Sequence, residues 1–299
     1  MPVTDSTFFD IGSITKAVAT ASVVARLVDR KEIRLNEKIA SVLSELEKTG
    51  FEDIEVGDLL THSSGVKAWH PLFKTPESKN YLKWITQTKD LLASKRDVQN
   101  LYSDLGFYLL QHFLEKKFGT IESLFEKEVR TPLNLNETVY GPLKAVSDVA
   151  ATEYCQWRKK IIQCEVFDEN TYSLGGKSAF AGLFSNGKDL VIWANAWLSA
   201  LDGRSKWISS ETAKTFTQKQ RGDWGYGFDT KSKNGSLGSA FSENTFGHLG
   251  YPGTSVWIDP EIKTVVVFLT NRIHPSRMDT RIRTIRPKLH ELIFEELKS

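Results

Sequence analysis

Phe8-Phe9-Asp10-Ile11-Gly12-Ser13-Ile14-Thr15-Lys16 is the stretch that decides how this chain is read. An apolar approach ends in a glycine, a serine stands at the mouth of a helix, and a lysine follows one turn later. At spacing i, i+3 the two side chains share a helix face, so the amine reaches the hydroxyl. A serine hydroxyl is a weak nucleophile at neutral pH, and a neighbouring amine that manages its proton makes acyl transfer feasible. A helix start also leaves backbone N–H groups and the positive end of the dipole beside a developing oxyanion.

Ser-x-x-Lys occurs at Ser13/Lys16, Ser64/Lys67 and Ser185/Lys188, and roughly two matches are expected from composition alone. Context separates them. Behind Ser13, the residues Ile14, Ala17, Val18, Ala21, Val24, Ala25 and Val28 form a helical stripe that buries one face. Ser64 is followed by Gly65 and reads as a helix end. Ser185-Asn186-Gly187-Lys188 reads as a turn, with a helix starting near Asp189. The competing reading of Ser13 is an N-cap serine with an unrelated lysine.

Working outward, helices are predicted over 13–30, 56–62, 105–118, 121–130 and 189–201, with Gly65 closing the second and Pro132 ending the fourth. Tyr81, Trp84, Ile85, Leu91 and Leu92 mark a further helix. The character changes after about residue 205. Trp224–Phe228 is strand-like, 245–258 and 264–269 are β-rich, and Asp259-Pro260-Glu261-Ile262-Lys263 is a turn between them. A terminal helix over 278–297 is interrupted near Pro287. The expected architecture is α+β: an antiparallel sheet flanked by helices, plus an all-helical part. We expect one domain over 1–299, with an α/β part at 1–35 and 205–299 and a mostly helical part at 36–204.

The chain has 299 residues, 40% hydrophobic and 25% charged, with a net charge of +2. That length can bury a large core. The charge makes no case for nucleic acid or an anionic membrane, and no segment reads as a membrane span. The only cysteines are Cys155 and Cys164, and the six histidines have no ligand spacing. No metal and no cofactor are implied. Without a leader the chain is expected to be cytoplasmic, or periplasmic where a leader or N-terminal segment has been removed. Gly175-Gly176-Lys177-Ser178 lacks the upstream glycine of a P-loop, and no Gly-x-Ser-x-Gly elbow occurs. Asp168 and Glu169 are sequence neighbours that read as a solvated loop rather than an acid/base pair.

Two further stretches complete a site. Leu101-Tyr102-Ser103-Asp104-Leu105-Gly106 places a tyrosine on a loop just before a helix, and a phenol is a competent base where cations lower its pKa. Gly247-His248-Leu249-Gly250-Tyr251-Pro252-Gly253-Thr254 opens a strand with glycines that allow close approach to the backbone. The N–H of Tyr251 is placed to be a second oxyanion donor beside that of Ser13.

Together with Leu59-Leu60-Thr61-His62-Ser63-Ser64-Gly65 and Gly182-Leu183-Phe184-Ser185, these stretches resemble the serine β-lactamase and penicillin-binding-protein family. The likeness is to its class C-like branch, which includes esterases and D-amino-acid peptidases. The resemblance implies a serine acyl-enzyme mechanism. Ser13 would attack a carbonyl, and Lys16 and Tyr102 would manage protons. Asp104 stands where that family has Asn, and Gly250 would face substrate. His248 stands where many members have Lys, and would contact a substrate carboxylate or assist Tyr102. Relatives often have histidine in the stretches matching 165–170 and 179–182, where this chain has Phe167 and Phe180. A more apolar wall favours small ester or amide substrates. The alternatives are a D,D-peptidase or β-lactamase, or a catalytically impaired binding homologue. The family's usual N-terminal helix and strands are not in the sequence, so a sheet edge is expected to be covered by a second copy, another partner or the terminal helix.

Overall fold

The computed structural model describes residues 2–75, 81–88, 91–144, 148–233, 235–238 and 241–297. The chain opens with β1 (Phe9–Asp10) and passes through a π-helical turn, Lys16–Ala21, into α1 (Ser22–Asp29). Then come α2 (Val56–Leu60), α3 (Tyr81–Gln87), α4 (Asp104–Phe118) and α5 (Ile121–Phe125). A second π-helical turn, Glu126–Arg130, leads to α6 (Thr131–Leu133), β2 (Val139–Tyr140), β3 (Tyr154–Cys155), β4 (Lys160–Ile161) and α7 (Glu169–Ser173). The rest is β5 (Leu183–Ser185), α8 (Gly187–Leu201), α9 (Ser210–Thr217), β6 (Asp229–Thr230), β7 (Phe246–Leu249), β8 (Ser255–Asp259), β9 (Thr264–Phe268) and α10 (Ile282–Glu296).

β6, β7, β8 and β9 form an antiparallel sheet in sequence order, with His248 opposite Val256 and Ser255 opposite Phe268. A smaller sheet in the order β1-β5-β2 leads into the Ser13 stretch. The main core joins the inner face of the large sheet, through Val256 and Ile258, to the stripe of α1 and to Trp193 and Trp197 of α8. It continues into Phe107, Leu109 and Phe113 of α4. Buried tryptophans need a partner for their N–H, and Trp193 Nε1 donates to Ser22 Oγ at 3.0 Å. On the other face, Ile293 and Phe294 of α10 pack on Trp257 and Val266. The terminal helix therefore covers a face of the sheet. Among the described residues the outer edge of β9 pairs with no strand.

The α+β architecture is as the sequence predicts; several boundaries are not. Trp224–Phe228 is irregular, and the strand begins at Asp229. Ser185, the first residue of the stretch read as a turn, is the last residue of a fully buried central strand, Leu183–Ser185. α2 stops at Leu60, and His62, not Gly65, makes the first left-handed step, at φ 55. Pro132 does not end its helix, which runs to Leu133 and stops where Asn134 turns left-handed. α10 starts at Ile282 and runs through Pro287. The predicted helix around Tyr81 ends at Gln87, and residues 89 and 90 lie outside the described residues.

Trp193 is fully buried at the junction of α1, α8 and the sheet. Trp193→Ala is expected to lower the unfolding free energy by about 3–5 kcal/mol, as for other buried aromatic truncations. Urea denaturation followed by circular dichroism measures it.

Candidate active site

Ser13 is placed by two contacts that bend β1 into the helix. Asp10 Oδ1 accepts from Gly12 N–H at 2.9 Å and Oδ2 accepts from Phe167 N–H at 2.8 Å. Burial pushes the Asp10 carboxyl up to about 7, against those two bonds. Gly12 has φ 54, and a Cβ there would stand 2.6 Å from Pro252 Cδ and 3.2 Å from Tyr251 N. The glycine thus lets the Ser13 stretch touch the turn after β7. Among the described residues, neither Ser13 N–H nor Tyr251 N–H donates to a protein acceptor. Two free amides side by side at a helix mouth are what an oxyanion requires.

Lys16 is fully buried. Its Nζ donates to Ser13 Oγ at 3.2 Å and to Phe180 O at 3.3 Å, and pairs with Asp104 Oδ1 at 2.6 Å. It also sits 4.8 Å from the centre of the Tyr102 ring. Burial alone would lower the lysine pKa, but the Asp104 charge, aided by Tyr102, overrides it and the pKa is raised. Tyr102 is pushed above 10, by burial first and against the pull of Lys16. In the resting site both groups therefore keep their protons.

His248 projects from β7 with Nδ1 2.8 Å from Leu249 O. That carbonyl accepts, so Nδ1 carries the proton and Nε2 a lone pair; among the described residues Nε2 has no partner. Burial, then the Lys16 charge, pushes its pKa down to about 3. The imidazole is therefore neutral here, with Nε2 directed into the cavity that His248 lines.

The cations at that end of the cleft come from elsewhere. Arg286 of α10 is 5% exposed, donates Nη2 to Thr254 O at 3.3 Å, and has an unpartnered Nε. Burial, then Arg272, lowers its pKa to about 10. Arg272 lies on the Tyr251 ring at 4.6 Å and donates to the carbonyls of Tyr251 and Asp279 at 3.1 and 2.7 Å. Both line a cavity of about 570 Å3 with Ser13, Tyr102, His248 and Gly250. A second cavity of about 340 Å3 opens on the other side of Ser13, Tyr102 and Tyr251, lined by Asp104, Phe167, Phe180, Asp168 and Trp69. Phe167 stacks on Tyr251, with ring centres 5.6 Å apart, where the two cavities meet.

The sequence reading brought Ser13, Lys16, Tyr102, Asp104, His248, Gly250 and Tyr251 to one cleft. Lys67 and Lys188 are exposed, while Ser185 is buried on β5. Asp168 is not in a solvated loop: Oδ1 caps α7 through Thr171 N–H at 2.7 Å, and burial pushes the carboxyl up to about 6. Arg272, Arg286 and His62 were missed. His62 carries the segment around Tyr102. Its carbonyl accepts from Leu101 N–H at 2.8 Å, its Nδ1 accepts from Ser103 N–H at 3.0 Å, and its ring lies 4.4 Å from that of Tyr102. Accepting at Nδ1 requires a neutral ring, and burial holds its pKa well below the usual histidine value.

A family model described as Beta-lactamase matches residues 1–289. An N-acetylmuramyl-L-alanine amidase of Bacillus subtilis strain 168 is 31% identical, covering 91% of this chain and 70% of that protein. An Escherichia coli K12 protein, provisionally named a D-alanyl-D-alanine carboxypeptidase, is 27% identical over 92% of this chain and 71% of that protein. Among solved structures, the octameric penicillin-binding protein homologue from Pyrococcus abyssi has a TM-score of 0.76 at 22% identity, covering 99% of this chain and 68% of that chain. EstCE1, a hydrolase with promiscuous acyltransferase activity, has a TM-score of 0.74 at 18% identity, covering 97% and 86%. These structural likenesses establish the fold.

Asp10 generates a pH dependence. Its pKa is raised from 3.8 to about 7, so the folded state binds the proton more tightly than the unfolded chain. Its contribution is fully present below pH ~4 and is lost as pH rises through about 7, a change of about 4 kcal/mol. Urea midpoints across that range are expected to fall more steeply for wild type than for Asp10→Asn.

Proposed function

The chain belongs to the Beta-lactamase family, whose members are serine hydrolases, and from that premise we propose that it hydrolyses small esters or amides through an acyl-enzyme on Ser13. The observation that carries this reading is the contact of Ser13 Oγ with Lys16 Nζ at 3.2 Å, beside the Tyr102 hydroxyl and two unengaged amides. Ser13 Oγ attacks the carbonyl carbon as its proton leaves through Lys16, the carbonyl oxygen becomes an oxyanion beside the Ser13 and Tyr251 N–H groups, and the bond to the leaving atom then breaks as Tyr102 protonates that atom. Water then reverses the sequence. Phe167 and Phe180 line one side of Ser13 and favour an apolar acyl group there.

Arg272 and Arg286 favour a second reading, a D,D-peptidase. Two arginines whose partners are carbonyls rather than carboxylates suit a substrate with a carboxylate on the side of the larger cavity. The names of the amidase and carboxypeptidase relatives agree with it.

An alkyl fluorophosphonate is expected to label Ser13, and Ser13→Ala to abolish the label. A folded protein that neither fluorophosphonate nor penicillin modifies would be the impaired binding homologue instead. Short p-nitrophenyl esters are expected to turn over faster than D-Ala-D-Ala peptides, and the opposite order selects the second reading. Arg286→Gln separates the two as well. It leaves KM for a neutral ester unchanged and raises KM at least about tenfold for a carboxylate-bearing substrate that uses the arginine.

A further inference from the structure

Lys16 cannot itself take the Ser13 proton in the state the structure shows. Its Nζ is a buried ammonium, paired with Asp104 Oδ1 at 2.6 Å while donating to Ser13 Oγ at 3.2 Å. Tyr102 is a phenol that lines the cleft with Ser13, its ring centre 4.8 Å from Lys16 Nζ. The two nearby imidazoles, His62 and His248, are neutral and only weakly basic. Among the groups in contact with Lys16, the one anion is the carboxylate of Asp104, the residue that departs from the family's Asn.

We propose that Asp104 is the terminal acceptor of the nucleophile's proton, reached through Lys16. This rests on the acyl-enzyme reading above. As Oγ bonds to the carbonyl carbon, its proton passes to Nζ while Nζ gives one of its own protons to Asp104 Oδ1. Lys16 ends as an ammonium, Asp104 as a neutral acid, and the negative charge has moved to the oxyanion. When the intermediate collapses, the bond to the leaving atom breaks and that atom takes the Tyr102 proton. Lys16 reprotonates Tyr102, and Asp104 returns its proton to Lys16, which restores the resting charges. The relay is short because one nitrogen bridges both oxygens.

The groups that face the pair are Tyr102, Phe180 O, and Asp168 and Glu169 at the start of α7. Arg277 pairs with Glu169 at 2.8 Å, and His62 and His248 are uncharged. Burial first, and the Asp104 charge after it, raise the Asp168 carboxyl.

The test compares wild type, Asp104→Asn and Asp104→Glu by the pH dependence of Ser13 labelling with a fluorophosphonate. The Lys16 side-chain nitrogen resonance is read in parallel. With Asn at 104 the proton store is lost, burial lowers the lysine pKa, and Lys16 itself becomes the base. The acid limb of labelling is then expected to move up by about one pH unit or more, and the Lys16 resonance to change from ammonium to amine at neutral pH. Asp104→Glu keeps a carboxylate, and with it the wild-type limb at a reduced rate. Labelling of wild type with an unmoved limb in Asp104→Asn overturns the relay alone. So does a Lys16 that stays an ammonium in that variant. No adduct in wild type overturns the acyl-enzyme reading, and the relay with it.

Discussion

An ammonium with no solvent exposure is the constraint around which this cleft is built. Taking Lys16 out of water costs several kcal/mol unless charge and hydrogen bonds replace the lost hydration. The site replaces it with the Asp104 carboxylate at 2.6 Å, the Phe180 carbonyl and Ser13 Oγ. Each of these must be delivered by a different part of the chain. Ser13 and Lys16 share one helix start, Asp104 begins α4, and Phe180 lies on the approach to β5. The pair therefore ties the nucleophile to the helical part, and a loss of register in any of the three segments leaves a buried charge uncompensated.

The delivery of Asp104 and Tyr102 has its own scaffold. The segment 61–68 runs beside 97–104 and bonds it repeatedly: Asn100 Nδ2 to Thr61 O at 2.8 Å, Ser103 Oγ to Lys67 O at 2.7 Å, and Asp104 N–H to Ala68 O at 2.9 Å. His62 sits in the middle of this strip. A left-handed backbone at a non-glycine residue is uncommon and is held only where neighbours determine it. Here it lets one residue bond the chain on both sides of Tyr102, with its carbonyl and with its ring. The stretch Leu59–Gly65 is thus a template for the residues before α4.

That division explains what the sequence made legible. Ser13 and Lys16 could be read because helical spacing fixes their relation locally, and the stripe behind them marks a buried helix. Tyr102 and His248 could be read as parts of recognisable stretches. Their protonation could not, because it depends on burial and on which charge stands nearby after folding. Arg272 and Arg286 carry no local pattern: they reach the cleft only because the loop after β9 and α10 pack beside the turn after β7. The strand Leu183–Ser185 is hidden because its last residue begins the polar run Ser185-Asn186-Gly187, which reads as a turn. Only pairing with β1 and β2 reveals it. His62 was hidden behind Gly65, the residue that a left-handed step ordinarily selects.

The charges along the cleft then have an order. On one side of Ser13, Asp104 is neutralised by Lys16 and Glu169 by Arg277, and Phe167 and Phe180 present rings. On the other side, Arg272 and Arg286 donate to carbonyls, and among the described residues neither forms an ion pair, although the Asp279 charge faces Arg272 and Asp229 lines the same cavity. His248 between them is neutral, so it neither cancels nor adds to that field. The potential therefore rises from the aromatic side toward the arginine side. On the proposed acyl-enzyme reading, that gradient orients a substrate with an apolar acyl group and a negative leaving portion, and it favours an oxyanion beside Ser13.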